Sequence, residues 1–122
     1  MRIITGSARG RRLITPEGLD VRPTPEKVKE ALFSALQFDI EGRRILDLFA
    51  GSGQLGLEAL SRGAASAVFV DLSPVSIKTV QKNLEATGLT DKARVYRTDY
   101  AAFCAASSET FDIAFLDPPY AK

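Results

Sequence analysis

Hydrophobic and polar positions divide the chain into two regimes that meet near Arg44. Before it, the pattern predicts two short strands, Arg2 to Thr5 and Arg11 to Ile14, joined across a Gly6–Gly10 turn region. This hairpin reads as an appendage, followed by a polar connection through Pro16 and Gly18. In "RPTPEKVKEALFSAL" the spacing then predicts a helix, with Thr24 as N-cap, Pro25 at the first helical position and Glu26 in the first turn. Val28, Ala31, Leu32, Ala35 and Leu36 fall on one face, which should pack against a larger body.

After Arg44, short apolar runs alternate with amphipathic ones. Strands are expected at Ile45 to Phe49, Ala67 to Asp71, Ala93 to Arg97 and Ile113 to Asp117. Between them lie a helix carrying Leu55, Leu57, Ala59 and Leu60 that stops near Gly63, and a second that is capped by Ser73 and begins at Pro74. The second presents Ile77, Val80 and Leu84 and ends at Gly88. A short helix over Ala101 to Ala106 precedes the last strand. Continuous apolar strands separated by helices predict a parallel sheet covered on both faces. With strand one central, two and three on one side and four on the other, the loops after strands one and four become neighbours, placing Gly51 beside Asp117.

Composition narrows the chemistry more than the fold. At 122 residues the chain suits one domain with a real core. No apolar run approaches a membrane span and the N-terminus lacks the core of a signal peptide, which points to the cytoplasm. One cysteine excludes an internal disulfide. With no histidine, neither a zinc site nor a His-activated nucleophile is expected, so no metal is assigned. Cys104 reads as a small buried hydrophobe. Net charge is only +1, but Arg2, Arg9, Arg11 and Arg12 stand in the first twelve residues without an acid. That cluster reads either as a solvated hairpin or as an electrostatic handle for a nucleic-acid backbone.

"DLFAGSGQLG" contains G-x-G-x-x-G at Gly51, Gly53 and Gly56, the spacing of a dinucleotide loop, with Asp71 near the position of a ribose acid. No Lys-Ser or Lys-Thr follows, which disfavours a triphosphatase loop. Asp47, Asp71, Asp99 and Asp117 all fall at or near the carboxyl ends of their strands. Each alone could cap a helix or loop, but four on one rim point to a ligand, because a buried carboxylate without a partner costs several kcal/mol.

"DPPY", residues 117 to 120, resembles the Asp/Asn-Pro-Pro-aromatic motif of class I S-adenosylmethionine-dependent methyltransferases that act on planar nitrogens. Together with "DLFAGSG", "LGLEALSRGA" and "RPT", the chain from Arg2 to its last residues closely resembles the bacterial 16S ribosomal RNA guanine-N2 methyltransferase family. The resemblance implies a Rossmann-like α/β sheet with an N-terminal β-hairpin and helix. Family members continue past DPPY with a helix and further strands. It therefore implies a single truncated domain over residues 1–122, with a basic hairpin extension at 1–22 and the helix plus first four core strands at 23–122.

The implied cofactor is S-adenosylmethionine. By resemblance its site comprises Asp47, Phe49, Gly51, Ser52, Gly53, Asp71, Leu72, Asp99 and Tyr100. Asp47 would face the methionine ammonium, Gly51 and Gly53 would let the backbone approach, and the following helix N-terminus suits the carboxylate. Asp71 would take the ribose hydroxyls and Leu72 would pack on adenine. Asp99 would accept from the adenine amino group, and the Tyr100 backbone would complete that edge. Asp117 and the Pro118 carbonyl would bind the target amine, Pro119 would stiffen the turn and Tyr120 would stack on the base. Arg9, Arg11, Arg12 and Arg22 become candidates for phosphate contacts. The implied substrate is 16S ribosomal RNA or a small-subunit particle. A DNA adenine-N6 or protein glutamine methyltransferase, a nicotinamide-binding domain and an inert RNA-binding module are the alternatives.

Overall fold

The computed structural model describes residues 1–15 and 24–116. The Pro16–Gly18 connection, Arg22 and the Asp117–Tyr120 motif lie outside the described residues.

Four parallel strands, β1 (Arg44–Leu48), β2 (Ser66–Asp71), β3 (Ala93–Arg97) and β4 (Ile113–Leu116), pair in the order β3-β2-β1-β4. Parallel neighbours need crossovers, supplied here by α2 (Gln54–Ser61), α3 (Pro74–Thr87) and α4 (Tyr100–Ala106). The expected strand order is thus observed, and Leu48 pairs with Leu116 so that β1 and β4 end side by side.

Alternation along the strands makes two cores. Ile45, Ala67, Phe69 and Phe115 join the side chains of α2 and α3, together with Phe33 from α1 (Glu26–Ala35). Leu46, Leu48, Val68 and Val70 face the other way, onto Phe103 of α4. Only β1 and β2 have the expected nearly continuous burial. On β3 and β4 most positions are exposed or half-buried, and Leu116 is 64% exposed.

Three expectations need correction. First, Pro25 sits at the N-cap of α1 with extended ψ 146°, without a side-chain cap, so Thr24 does not cap and the helix starts one residue later. Its inward face is Lys29 and Phe33, flanked by half-buried Leu32 and Leu36, while Val28, Ala31 and Ala35 are exposed. Apolar periodicity misplaced this face because a lysine occupies its centre. Second, the hairpin is no appendage. It has a single antiparallel bridge, Arg2 with Arg12, and buries Ile3, Ala8 and Leu13 in the main core. Third, Cys104 is exposed, lying on a side of α4 turned away from Phe103.

What binds the hairpin is polar. Glu58, fully buried in α2, accepts from Ile4 N at 2.9 Å and Thr5 N at 3.1 Å, and also from Arg62 Nε at 2.8 Å. Lys29 Nζ lies 3.3 Å from Glu58 and donates to the Arg2 carbonyl at 2.7 Å. Burial lowers the Lys29 ammonium below its ordinary pKa of 10.5, while Glu58 pulls the other way. At the far end, Asn83 of α3 exchanges two hydrogen bonds with Ile14 and donates to the Ser52 carbonyl at 2.8 Å. The hairpin is therefore a strap over the helical face, running from the glycine loop to Ser61 at the end of α2.

Candidate functional site

The carboxyl ends of β1, β2 and β3 open into a pocket of about 80 Å³ lined by Phe49, Val70, Asp71, Leu72, Thr98, Asp99 and Tyr100. Five of these seven are among the residues expected to hold a cofactor. Each stands at the end of a strand or in the residues that follow it. The peptide turns at Phe49, whose φ of 58° is left-handed, a costly conformation for a bulky residue outside glycine. That turn brings the Phe49 ring to 5.4 Å from the ring of Tyr100, forming an aromatic wall. Leu72 is 65% exposed at the opposite lip.

Asp71 organises the floor. Its Oδ2 accepts from Gly51 N at 2.9 Å and its Oδ1 from Ser73 N at 2.9 Å. A carboxylate offers about four acceptor sites, so two bonds leave capacity for a ligand's hydroxyls. Asp99 is the N-cap of α4, accepting from Ala102 N at 2.7 Å, so the local capping role holds for it and leaves acceptor capacity as well.

The glycine loop lies behind this pocket. Gly51 and Gly53 have φ of 60° and 81°, and Gly53 is the N-cap of α2. Gly56 is needed for a different reason. A Cβ there would stand 2.4 Å from the Phe69 ring and 3.1 Å from Asp47 Oδ2. Asp47 is buried and accepts from Gly56 N at 3.0 Å, fastening the end of β1 to the first turn of α2. Ser52 is buried too, its hydroxyl 3.6 Å from the Met1 sulfur. Asp47, Ser52 and the glycines thus build the loop, whereas Phe49, Asp71, Leu72, Asp99 and Tyr100 face the pocket.

Of the expected phosphate-binding arginines, Arg9 and Arg12 are exposed. Arg11 donates to the Ala86 carbonyl at 2.9 Å, near the C-terminal end of α3. Arg2 is committed elsewhere, to Glu26 at 3.1 Å, a contact that raises the guanidinium's pKa and lowers the carboxylate's.

Sequence reasoning missed Val70 and Thr98, which carry no chemical signature, and the strap residues Glu58, Lys29 and Asn83. Asn83 did leave a signal, a polar amide one residue before Leu84 on the apolar side of α3. Among the described residues no group of acids and cysteines could hold a metal, and no helix is long and apolar enough to cross a membrane.

The profile of the family described as "Conserved hypothetical protein 95" matches residues 1–122. YlbH of Bacillus subtilis is 50% identical over 98% of this chain and 67% of its own length. Ribosomal RNA small subunit methyltransferase D of Escherichia coli is 42% identical over 100% of this chain and 61% of its own. The chain therefore spans about three-fifths to two-thirds of these relatives. Among solved structures, yhhF from Escherichia coli superposes with a TM-score of 0.86 at 41% identity, covering 98% of this chain and 64% of that one. A methyltransferase from Thiobacillus denitrificans, solved in complex with S-adenosyl-L-homocysteine, has a TM-score of 0.65 at 26% identity, covering 76% and 36%. The chain belongs to the family described as Conserved hypothetical protein 95 and has the class I methyltransferase fold of its relatives named ribosomal RNA small subunit methyltransferase D.

Proposed function

We propose that this chain carries the cofactor-binding half of an enzyme that transfers a methyl group from S-adenosylmethionine to the exocyclic N2 amine of a guanine in 16S ribosomal RNA, in the cytoplasm. The observation that carries the reading is the pocket of Phe49, Asp71, Leu72, Asp99 and Tyr100 at the carboxyl ends of β1 to β3, in a sheet where β4, which Asp-Pro-Pro-Tyr follows in the sequence, pairs with β1. The relatives named for small-subunit ribosomal RNA support the substrate class.

The residues present fit an adenosine-bearing cofactor. Phe49, Leu72 and Tyr100 offer apolar surface to a planar base, and Asp71 has acceptor sites to spare for a ribose diol. When bound, S-adenosylmethionine supplies an electrophilic methyl on a sulfonium.

The remaining work falls to this chain's own groups. A guanine N2 amine is a poor nucleophile because its lone pair is delocalised into the ring. The Asp117 carboxylate and Pro118 carbonyl accept its two hydrogens and stabilise the positive charge that grows on nitrogen during attack. Pro118 and Pro119 have fixed φ, which limits reorganisation and supports alignment. Tyr120 gives the extruded base an aromatic face. As the N–C bond forms, one N2 proton becomes strongly acidic and passes to the Asp117 carboxylate that already accepts its hydrogen bond, and from there to solvent, so no histidine is required.

Asp117→Ala in the full protein tests this chemistry. Single-turnover transfer to 16S RNA should fall about a hundred- to a thousandfold, the usual worth of one preorganised contact, with cofactor affinity nearly unchanged. Near-normal transfer would contradict the role of that carboxylate.

A further inference from the structure

The hairpin turn and the pocket lie at opposite ends of the helical layer. Ser7 and Ala8 are bonded to Ser61 at the end of α2, and Arg11 to Ala86 near the end of α3. The pocket residue Leu72 sits just before the start of α3. Fourteen residues of α3 span about 21 Å. Helix α3 therefore bridges the distance between the strap and the lip of the pocket.

The exposed side of α3 suits that path. Lys78, Lys82 and Ala86 follow at four-residue spacing, so they form one row with successive members about 6 Å apart along the axis. Lys78 and Lys82 are both exposed. The ion pairs of the described residues involve Arg2, Lys29, Arg44, Arg62 and Arg94, and neither of these lysines. Arg11, seated on Ala86, extends the row at its far end, and Arg9 and Arg12 of the strap are exposed as well. Lys82 adjoins Asn83, which holds the strap at Ile14. Glu85 is the single exposed acid on this stretch of α3.

We infer that Lys78 and Lys82 of α3, with Arg11 at the Ala86 carbonyl, form a phosphate track that guides an RNA strand from the N-terminal strap to the cofactor pocket. The inference rests on the RNA reading proposed above. It assigns the track electrostatic positioning without base recognition, because lysines engage phosphates as point charges.

Binding of the full protein to 16S ribosomal RNA across a salt series tests it. Lys78→Ala with Lys82→Ala keeps helix propensity high, so the fold should persist. The slope of log affinity against log salt should become shallower by about 1.4 to 1.8, at roughly 0.7 to 0.9 per contact. That corresponds to an affinity loss of about 25- to 60-fold at 0.1 M salt that vanishes near 1 M. Glu85→Gln should tighten binding at low salt, and S-adenosylmethionine affinity should stay constant throughout. A wild-type slope in the double variant, or a loss that persists at 1 M salt, overturns the track. Methyl transfer by the wild type with an unaltered slope in the double variant overturns the track alone. A flattened slope without any methyl transfer by the wild type supports the track and overturns the parent reading.

Discussion

Asp71 at the end of β2 accepts the Gly51 N–H at 2.9 Å, so the second strand holds the glycine loop that follows the first. The same carboxylate faces the pocket. One side chain thus shapes the loop and meets the ligand, and replacing it should disturb both.

Asp71→Ala leaves the Gly51 and Ser73 N–H groups without their acceptor, at about 1 to 3 kcal/mol if they stay buried. In the wild type, S-adenosylmethionine or S-adenosylhomocysteine at a hundredfold excess over its dissociation constant should stabilise the fold by about 2.7 kcal/mol. NAD should have no effect. Thermal melts check both points: the variant should melt lower and lose its ligand shift. A shift with NAD alone would reassign the pocket to a dinucleotide.

Gly56→Ala should destabilise by about 1 to 3 kcal/mol, since its Cβ would meet the Phe69 ring at 2.4 Å and both lie in a packed core. Phe69→Leu in the same chain should recover part of the loss, which a denaturant titration of the four proteins would show. Additive losses would mean that the ring is not the obstacle.

The strap depends on Glu58. Glu58→Gln removes the charge that compensates Lys29 and Arg62 in a buried setting, so a loss of about 3 to 5 kcal/mol is expected, with faster amide exchange at Ile4 and Thr5. Lys29 adds a pH signature. Its folded pKa is lowered, so between that value and 10.5 the unfolded chain holds more protons on this group, and its contribution makes stability rise with pH through that window. In Lys29→Met, urea melts over an alkaline pH series should lose that rise. Its persistence would assign the effect to another group.

Strands and helices of the sheet were legible because their signals are local. β3 runs Ala93–Arg97 as expected, Ser73 caps α3 by accepting from Ser76 N, and Gly88 ends that helix in the left-handed conformation. The pocket was legible through the aspartates that follow the strands and through family resemblance. The strap was not. Its anchors pair residues 53 to 69 positions apart, Ile4 and Thr5 with Glu58 and Ile14 with Asn83, and no periodicity in either segment announces them. Lys29 was missed for a related reason. A lysine is an outward-facing position by every local rule, and only Glu58, brought in from α2, lets it sit inside.

Transfer of labelled methyl from S-adenosylmethionine to 16S ribosomal RNA by the full protein, followed by digestion and nucleoside analysis, tests the central claim most directly. Both naked RNA and small-subunit particles should be offered. Label recovered as N2-methylguanosine, at a rate about a hundred- to a thousandfold lower when Asp117→Ala replaces the wild type, is the predicted result. Label in another nucleoside, in DNA adenine or in protein, or no transfer to either form of the RNA, would contradict it.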